Sequence, residues 1–160
     1  MVAHLLWGQA VGGSNPPSPT MGAELRAAIV AANEETFRAW NAHDADAVAA
    51  VFADDAEIVD VMAGQVHQGR NAIRANAAAI LAAFSDFRLE RRMLLIDGNT
   101  NADQWVMTGT HGGTYLGLEP TGRHVEVRGA TFSEFGRAGV VVRDTNYIDV
   151  GSLLAQLGSS

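Results

Sequence analysis

The chain has 160 residues and a formal charge of −7, from 18 acidic and 11 basic residues, and 48% of its residues are hydrophobic. This length predicts one domain, and its apolar residues suffice for a core but are too dispersed for a membrane span. The acidic balance argues against a nucleic-acid binder, and the lack of cysteine excludes disulfides and thiolate chemistry. We expect a cytoplasmic protein.

The first 20 residues differ in composition from the rest of the chain. Their apolar run is short, lacks a basic start and ends in Gly, Ser and Pro, which does not fit a signal peptide. We therefore expect a disordered tail over residues 1–20 and one folded domain over residues 21–158.

Helical periodicity dominates the first half of the domain. Apolar residues at helical spacing predict helices over residues 24–41 and 70–84. Asp44 or Asp46 is placed to cap a short helix over residues 47–52 between them. A strand over residues 56–62 follows this short helix, and the segment "AGQVHQGR" reads as a turn.

The second half reads as hairpin-linked strands over residues 87–96, 104–116, 124–135 and 140–148, separated by polar turns. Asp149 then caps a last helix that ends at Gly158. Helices segregated from an antiparallel sheet define the α+β class, and glycines within the strands favour strong bending. We predict a cone in which three N-terminal helices close a central pocket.

Alternation along the strands sorts the side chains into two faces. Asp60 shares a face with Ile58 and Met62, and His111 shares a face with Trp105 and Met107. Further along the chain, one face carries Thr131 and Ser133, and the next strand presents Val142, Asp144 and Asn146 together. With Trp40 from the first helix, these residues predict an apolar pocket with convergent polar groups, which is typical of a small-molecule site.

Two segments carry a resemblance to a known family: "TGTHGGTYLGLEPTGRHVEVRG" and "DVGSLLAQLG". They resemble the SnoaL-like polyketide cyclases and the predicted ester cyclases, over roughly residues 23–158. The resemblance implies the cone-shaped fold of nuclear transport factor 2 and the ketosteroid isomerases. In the isomerases a carboxylate matching Asp60 removes a proton next to a ketone.

The family's functional residues are only partly present. The acid/base aspartate of the cyclases falls on Asn146, and their histidine two residues earlier falls on Asp144. A pocket histidine falls near Ser133, and a pocket glutamine falls near Thr131. The resemblance implies a cofactor-independent, homodimeric or homotetrameric enzyme that associates through its outer sheet face.

The chemistry expected of these residues is intramolecular aldol cyclisation or related proton transfer on a small apolar carbonyl substrate. We expect Asp144 or Asp60 to act as the acid/base and His111 to be a second proton carrier, with the other pocket residues binding substrate. An isomerase, an epoxide hydrolase and a non-catalytic ligand carrier remain alternatives. Epoxide hydrolysis would need an inward arginine, whereas Arg128 and Arg143 fall on the outward face.

No metal site is expected, because the histidines form no close i, i+4 pair. We also expect no cofactor, no nucleic-acid partner and no membrane partner.

Overall fold

A computed structural model describes residues 19–158. The predicted tail lies outside these residues, except for Pro19 and Thr20, where the first helix begins. Across the described chain, no helix is both long and apolar enough to cross a membrane.

Four α-helices and six strands make up the described chain. In order they are α1 (Pro19–Asn41), α2 (Ala45–Ala50), β1 (Phe52–Asp60), β2 (Gln65–Gln68), α3 (Arg70–Ala83), β3 (Arg88–Asp97), β4 (Thr100–Thr110), β5 (His124–Phe135), β6 (Val141–Ile148) and α4 (Val150–Leu157), with a 3₁₀ turn at Arg137–Gly139. This is the predicted α+β class, with the helices on the concave side of one sheet.

The helix ends follow the expected capping chemistry. Asp44 accepts a hydrogen bond from the Ala47 amide at 2.9 Å and caps α2. Asp149 accepts one from the Ser152 amide at 2.9 Å and caps α4. Gly158 ends α4 in the left-handed conformation, with φ +84°, as predicted.

The sheet has the strand order β2-β1-β6-β5-β4-β3. All neighbouring pairs are antiparallel except β1 and β6, which run parallel because β6 returns beside β1 after the β3–β4–β5 meander. Register shifts interrupt the β1–β6, β3–β4 and β5–β6 pairings. Such bulges bend a sheet, and here they curl it around the helices.

The core holds α1, α3 and α4 against the concave face. Ile29 of α1 packs with Phe52, Ile73 and Phe135 in one cluster. A second cluster joins α3 and α4 to β4 and β5, and Trp40 stacks on Phe87 beside it, with ring centroids 5.2 Å apart. The space left between these two clusters is the cavity described next.

Candidate active site

A cavity of about 140 Å³ lies between the concave face of the sheet and helices α1, α3 and α4. Nine of the side chains predicted for the site line it. The apolar ones are Trp40, Ile58, Trp105 and Met107, and the polar ones are Asp60, Thr131, Ser133, Asp144 and Asn146. The structure therefore brings together residues from α1 and from four different strands.

The polar side chains form two adjacent rows across the sheet. In one row, Asp103 pairs with Thr131, Thr131 with Asn146, and Asn146 with Asp60. In the next row, Asn101 pairs with Ser133, and Ser133 with Asp144. Cross-strand partners point to the same face, so the fold places polar groups from β1, β4, β5 and β6 side by side.

A chain of hydrogen bonds links the first row to Trp105. The Trp105 indole N–H donates to Thr131 Oγ1 at 2.9 Å, and the Thr131 hydroxyl donates to Asn146 Oδ1 at 2.7 Å. The Asn146 amide donates in turn to Asp60 Oδ1 at 3.0 Å. An indole N–H can only donate, so the chain ends on the Asp60 carboxylate as its final acceptor.

Gly129 makes room for this arrangement. A Cβ built on Gly129 would lie 2.3 Å from the Trp105 ring, a distance that no side chain tolerates. Glycine at this position of β5 lets the indole lie across the strand with its N–H against Thr131.

His67 is a neighbour of Asp60 that the sequence interpretation missed. Its Nε2 atom lies 3.5 Å from Asp60 Oδ2, on the opposite side of the carboxylate from Asn146. The segment "AGQVHQGR" was expected to be a turn, but it contains β2, which pairs with β1. The alternation within "QVHQ", directly after a Gly-containing turn, is the signal that could have identified this strand.

Asp144 has a different environment from Asp60. It is only 9% exposed, and its Oδ1 atom has no hydrogen-bond partner among the described residues. Burial raises the pKa of Asp144 to about 7; the neighbouring Ser133 hydroxyl lowers it, and the charges of Asp103 and Asp60 raise it further. A carboxyl with this pKa exchanges protons near neutral pH.

Asp103 is a third cavity carboxyl, and the sequence interpretation placed it in a turn. It is 6% exposed, and burial raises its pKa to about 6 while the Arg91 guanidinium opposes that rise. Strand β4 begins at Thr100 instead of Gln104, which puts Asp103 on the face of Trp105. Extending the alternation back from Trp105 by two residues would have found it.

His111 does not line the cavity, contrary to the prediction. Strand β4 ends at Thr110, and His111 lies fully buried just beyond it. Its Nδ1 atom accepts a hydrogen bond from the Thr121 amide at 3.3 Å, and its ring packs against Phe84 with centroids 5.5 Å apart. His111 fixes the loop between β4 and β5. Its position outside the cavity lining does not fit the predicted role as a second proton carrier.

Met62 and Val142 also lie outside the cavity. Met62 follows the end of β1 at Asp60 and is 60% exposed in the turn. Val142 is 38% exposed, because the register between β5 and β6 shifts between Val141 and Arg143. This bulge turns Val142 outward, and Val141 lines the cavity in its place.

Tyr115, from the loop between β4 and β5, also lines the cavity. Its ring meets Phe84 edge to face, with centroids 5.3 Å apart. Burial, with a smaller contribution from the Asp60 charge, raises the pKa of the Tyr115 phenol to about 12. The phenol therefore stays protonated and can donate a hydrogen bond to a ligand.

Within residues 19–158, no group of three His, Asp or Glu side chains is placed to hold a metal ion.

The curled sheet with helices over its concave face is the fold shared by nuclear transport factor 2 and the ketosteroid isomerases. Within this fold the chain belongs to the SnoaL-like polyketide cyclase family, whose model matches residues 30–157. No curated protein matches the chain.

Solved structures with the same fold are distant in sequence. TsrD from Streptomyces laurentii has a TM-score of 0.76 at 20% identity, covering 84% of this chain and 98% of that one. A protein with a ketosteroid isomerase-like fold from Catenulispora acidiphila, in complex with trimethylamine, has a TM-score of 0.70 at 22% identity, covering 81% and 93%. The epoxide hydrolase/cyclase-like enzyme SalBIII, which has a role in pyran ring formation in the polyether salinomycin, has a TM-score of 0.68 at 21% identity. The match covers 79% of this chain and 95% of that one.

Proposed function

We propose that this protein catalyses intramolecular aldol cyclisation, or a related proton transfer beside a carbonyl, without a cofactor. The observation that carries the proposal is Asp144: a buried carboxyl that lines the cavity and has a pKa raised to about 7. A general acid/base works best when its pKa lies near the working pH, and burial achieves this for Asp144.

In the proposed reaction, ionised Asp144 takes a proton from the carbon next to the substrate carbonyl. The electrons of that C–H bond form the enolate, whose carbon attacks a second carbonyl of the same molecule. The new alkoxide takes this proton back from the carboxyl of Asp144, which returns the site to its starting state. The Tyr115 phenol, which lines the same cavity, would hydrogen-bond the enolate oxygen.

The hydrogen-bond chain gives Asp60 a different role. Asn146 donates to one of its oxygens and His67 lies beside the other, so Asp60 has neighbours that Asp144 lacks. This division favours Asp144 over Asp60 as the acid/base. The apolar walls formed by Trp40, Phe87 and Met107 would select an apolar carbonyl substrate.

Proton exchange offers a test that needs no cyclised product. Candidate ketones and β-keto esters are incubated with the protein in deuterated water, and NMR follows exchange at the carbon next to the carbonyl. Asp144→Asn should slow this exchange about 10²–10⁴-fold, while Asp97→Asn, which changes an exposed carboxyl on β3, should leave it unchanged. Unchanged exchange in Asp144→Asn would reject the acid/base assignment.

Epoxide opening is a second candidate, and Arg91 is the observation that favours it. Unlike Arg128 and Arg143, Arg91 is largely buried on β3, and its charge reaches Asp103. A carboxyl pair with a nearby guanidinium could activate a water towards an epoxide. Terpenoid epoxides that become diols carrying one oxygen from labelled water would support this reaction, and binding without turnover would indicate a ligand carrier.

We also propose that two copies associate through the outer face of the sheet. Phe132 and Tyr147 lie there edge to face, with centroids 5.9 Å apart, and are 52% and 45% exposed. Exposed aromatic pairs of this kind favour an interface over free solvation.

A further inference from the structure

We propose that the ligand of this cavity carries a positively charged amine, held between Asp103 and Asp144 and surrounded by aromatic rings. The inference rests on the proposed function only in taking this cavity as the substrate site. It adds the charge of the substrate, which acid/base chemistry alone does not specify.

The charged side chains that line the cavity are all carboxyls. Asp60, Asp103 and Asp144 are among its lining residues, and no arginine or histidine of the described chain is. Lysine is absent from the whole sequence, so no ammonium group of a side chain can reach the site. The cavity offers three acids and no internal cation.

Two of these carboxyls are incompletely partnered. Asp103 and Asp144 are each more than nine-tenths buried, and each has an Oδ1 atom without a hydrogen-bond partner in the described residues. Buried carboxyl oxygens without partners are costly, and proteins normally pair them. Asp60, which has Asn146 and His67 beside it, shows that the fold can satisfy a carboxylate at this face. The open positions at Asp103 and Asp144 therefore point to a partner that arrives with the ligand.

The nearest guanidinium, that of Arg91, is not among the side chains that line the cavity. Arg91 Nη1 pairs with Glu34 at 2.8 Å, and its guanidinium lies over the Phe37 ring at 4.3 Å from the centroid. Its charge lowers the pKa of Asp103, yet burial still raises that pKa to about 6. Arg91 thus compensates Asp103 only in part and does not contact Asp144.

Aromatic side chains complete a site suited to a cation. Phe37, Trp40, Phe87, Trp105 and Tyr115 all line the cavity. Aromatic faces attract ammonium groups, most strongly where water is excluded, and rings combined with carboxylates form cages for alkylated amines. A neutral ligand would gain the apolar contact but would leave both carboxyls unpaired.

Binding of such a cation must depend on pH. The groups facing Asp103 and Asp144 are Asp60 on β1, Arg91 on β3 and the Ser133 hydroxyl on β5, with the Tyr115 phenol across the cavity. The pKa values of the two carboxyls are raised, so one or both hold protons below about pH 6–7. An ammonium ligand displaces those protons, and its affinity should rise with pH up to about 7 and then level off.

The test compares two probes of nearly the same shape: choline and its uncharged carbon analogue 3,3-dimethylbutan-1-ol. Both are small enough for a cavity of about 140 Å³, since one of about 150 Å³ holds benzene. Calorimetric titration at pH 5.5 and 7.5 should show choline binding at least about tenfold more tightly than the alcohol at pH 7.5. Choline should also bind about tenfold more weakly at pH 5.5, whereas the alcohol should not change.

Variants assign the effect to the carboxyls. Asp103→Asn should weaken choline binding about tenfold or more and leave the alcohol unchanged, while Asp97→Asn should alter neither. Equal affinity for the two probes in the unmodified protein, or tighter binding of the alcohol, overturns the proposal without any variant. If neutral ketones still exchange protons in the unmodified protein while choline fails to bind, the amine inference falls and the proposed reaction stands. If choline binds as expected while no ketone exchanges protons, the amine inference stands and the proposed reaction falls.

Discussion

Asp60 and Asp144 have the same side chain on the same face of the sheet, yet the structure gives them different surroundings. Asp60 accepts a hydrogen bond from Asn146 and lies beside His67. Asp144 is buried with an unpartnered oxygen, and its pKa rises to about 7. The neighbours of a carboxyl decide how readily it exchanges a proton.

Asp144 should also make stability depend on pH. Folded Asp144 keeps its proton up to about pH 7, whereas the unfolded chain releases it near 3.8. Between these values the folded state binds more protons, so the free energy of unfolding falls as pH rises. Asp144→Asn should therefore gain stability relative to the unmodified protein from pH 4 to 7, by up to about 4 kcal/mol, and no further above pH 7.

Thermal unfolding at several pH values checks this prediction. The exposed Asp97→Asn variant serves as the control, because it removes a carboxyl from the surface of β3. A constant difference in melting temperature between Asp144→Asn and the unmodified protein across this range would contradict it.

At the scale of single residues, the sequence predicts much of the site but misses particular residues. Strand alternation places Asp60, Thr131 and Asn146 in the cavity, because regular pairing preserves it. It fails for Val142, where a bulge adds one residue, since no local signal in the sequence marks that bulge. It also misses Asp103, because the polar residues before it resemble a turn.

At the scale of elements, the packing of β4 on β5 controls the site. The Trp105 ring occupies the space above Gly129, and its N–H then reaches Thr131. A methyl group on Gly129 would meet the ring at 2.3 Å and force it to move. The geometry of the cavity-lining face therefore depends on the absence of one side chain.

Gly129→Ala should displace Trp105 and cost about 1–3 kcal/mol of stability, because overpacking forces side chains from their preferred rotamers. It should also slow proton exchange by disturbing Thr131 and Asn146. Thermal unfolding measures the loss of stability, and near-ultraviolet circular dichroism reports the displacement of the Trp105 ring. Gly112→Ala is a matched control, since the nearest atom to its new methyl group is 3.8 Å away. Equal behaviour of the two variants would show that the ring can yield without cost.

The loop between β4 and β5 depends on His111 in a different way. His111→Ala should remove a fully buried ring that holds Thr121 and packs on Phe84, at a cost of about 2–4 kcal/mol. Below the new melting temperature, proton exchange should fall less than about tenfold, since His111 does not reach the cavity. A loss as large as that of Asp144→Asn would restore the catalytic role predicted from the sequence.

The elements themselves follow from local patterns, whereas their pairing does not. The order of helices and strands and the caps at Asp44 and Asp149 are all readable from the chain. The parallel β1–β6 pair is not, because it is stabilised by contacts distant in sequence. The short strand β2 pairs locally with β1, but its four residues give only a brief alternation, so His67 beside Asp60 is missed.

At the scale of the whole molecule, the convex face of the sheet carries exposed apolar side chains. Phe132, Val142 and Tyr147 are all more than one-third exposed on strands β5 and β6. They lie on the face opposite to the cavity. Association through this face would leave the cavity open to its ligand.

Phe132→Asp should convert a dimer into a monomer, because it places a charge at the centre of the aromatic pair with Tyr147. Light scattering coupled to gel filtration measures the mass of each variant. Val30→Asp, which changes an exposed apolar residue on α1, should leave the mass unchanged. A monomeric unmodified protein would reject the proposed association.

The indole of Trp105 has one further effect, at a distance of three strands. It gives a hydrogen and cannot receive one, so it imposes a single polarity on the contacts through Thr131 and Asn146 to Asp60. With phenylalanine in its place, the Thr131 hydroxyl would lose the N–H that orients it, and the order of donors and acceptors would be set from the Asp60 end alone. The nitrogen on β4 and the carboxylate on β1 thus orient the amide between them from both sides.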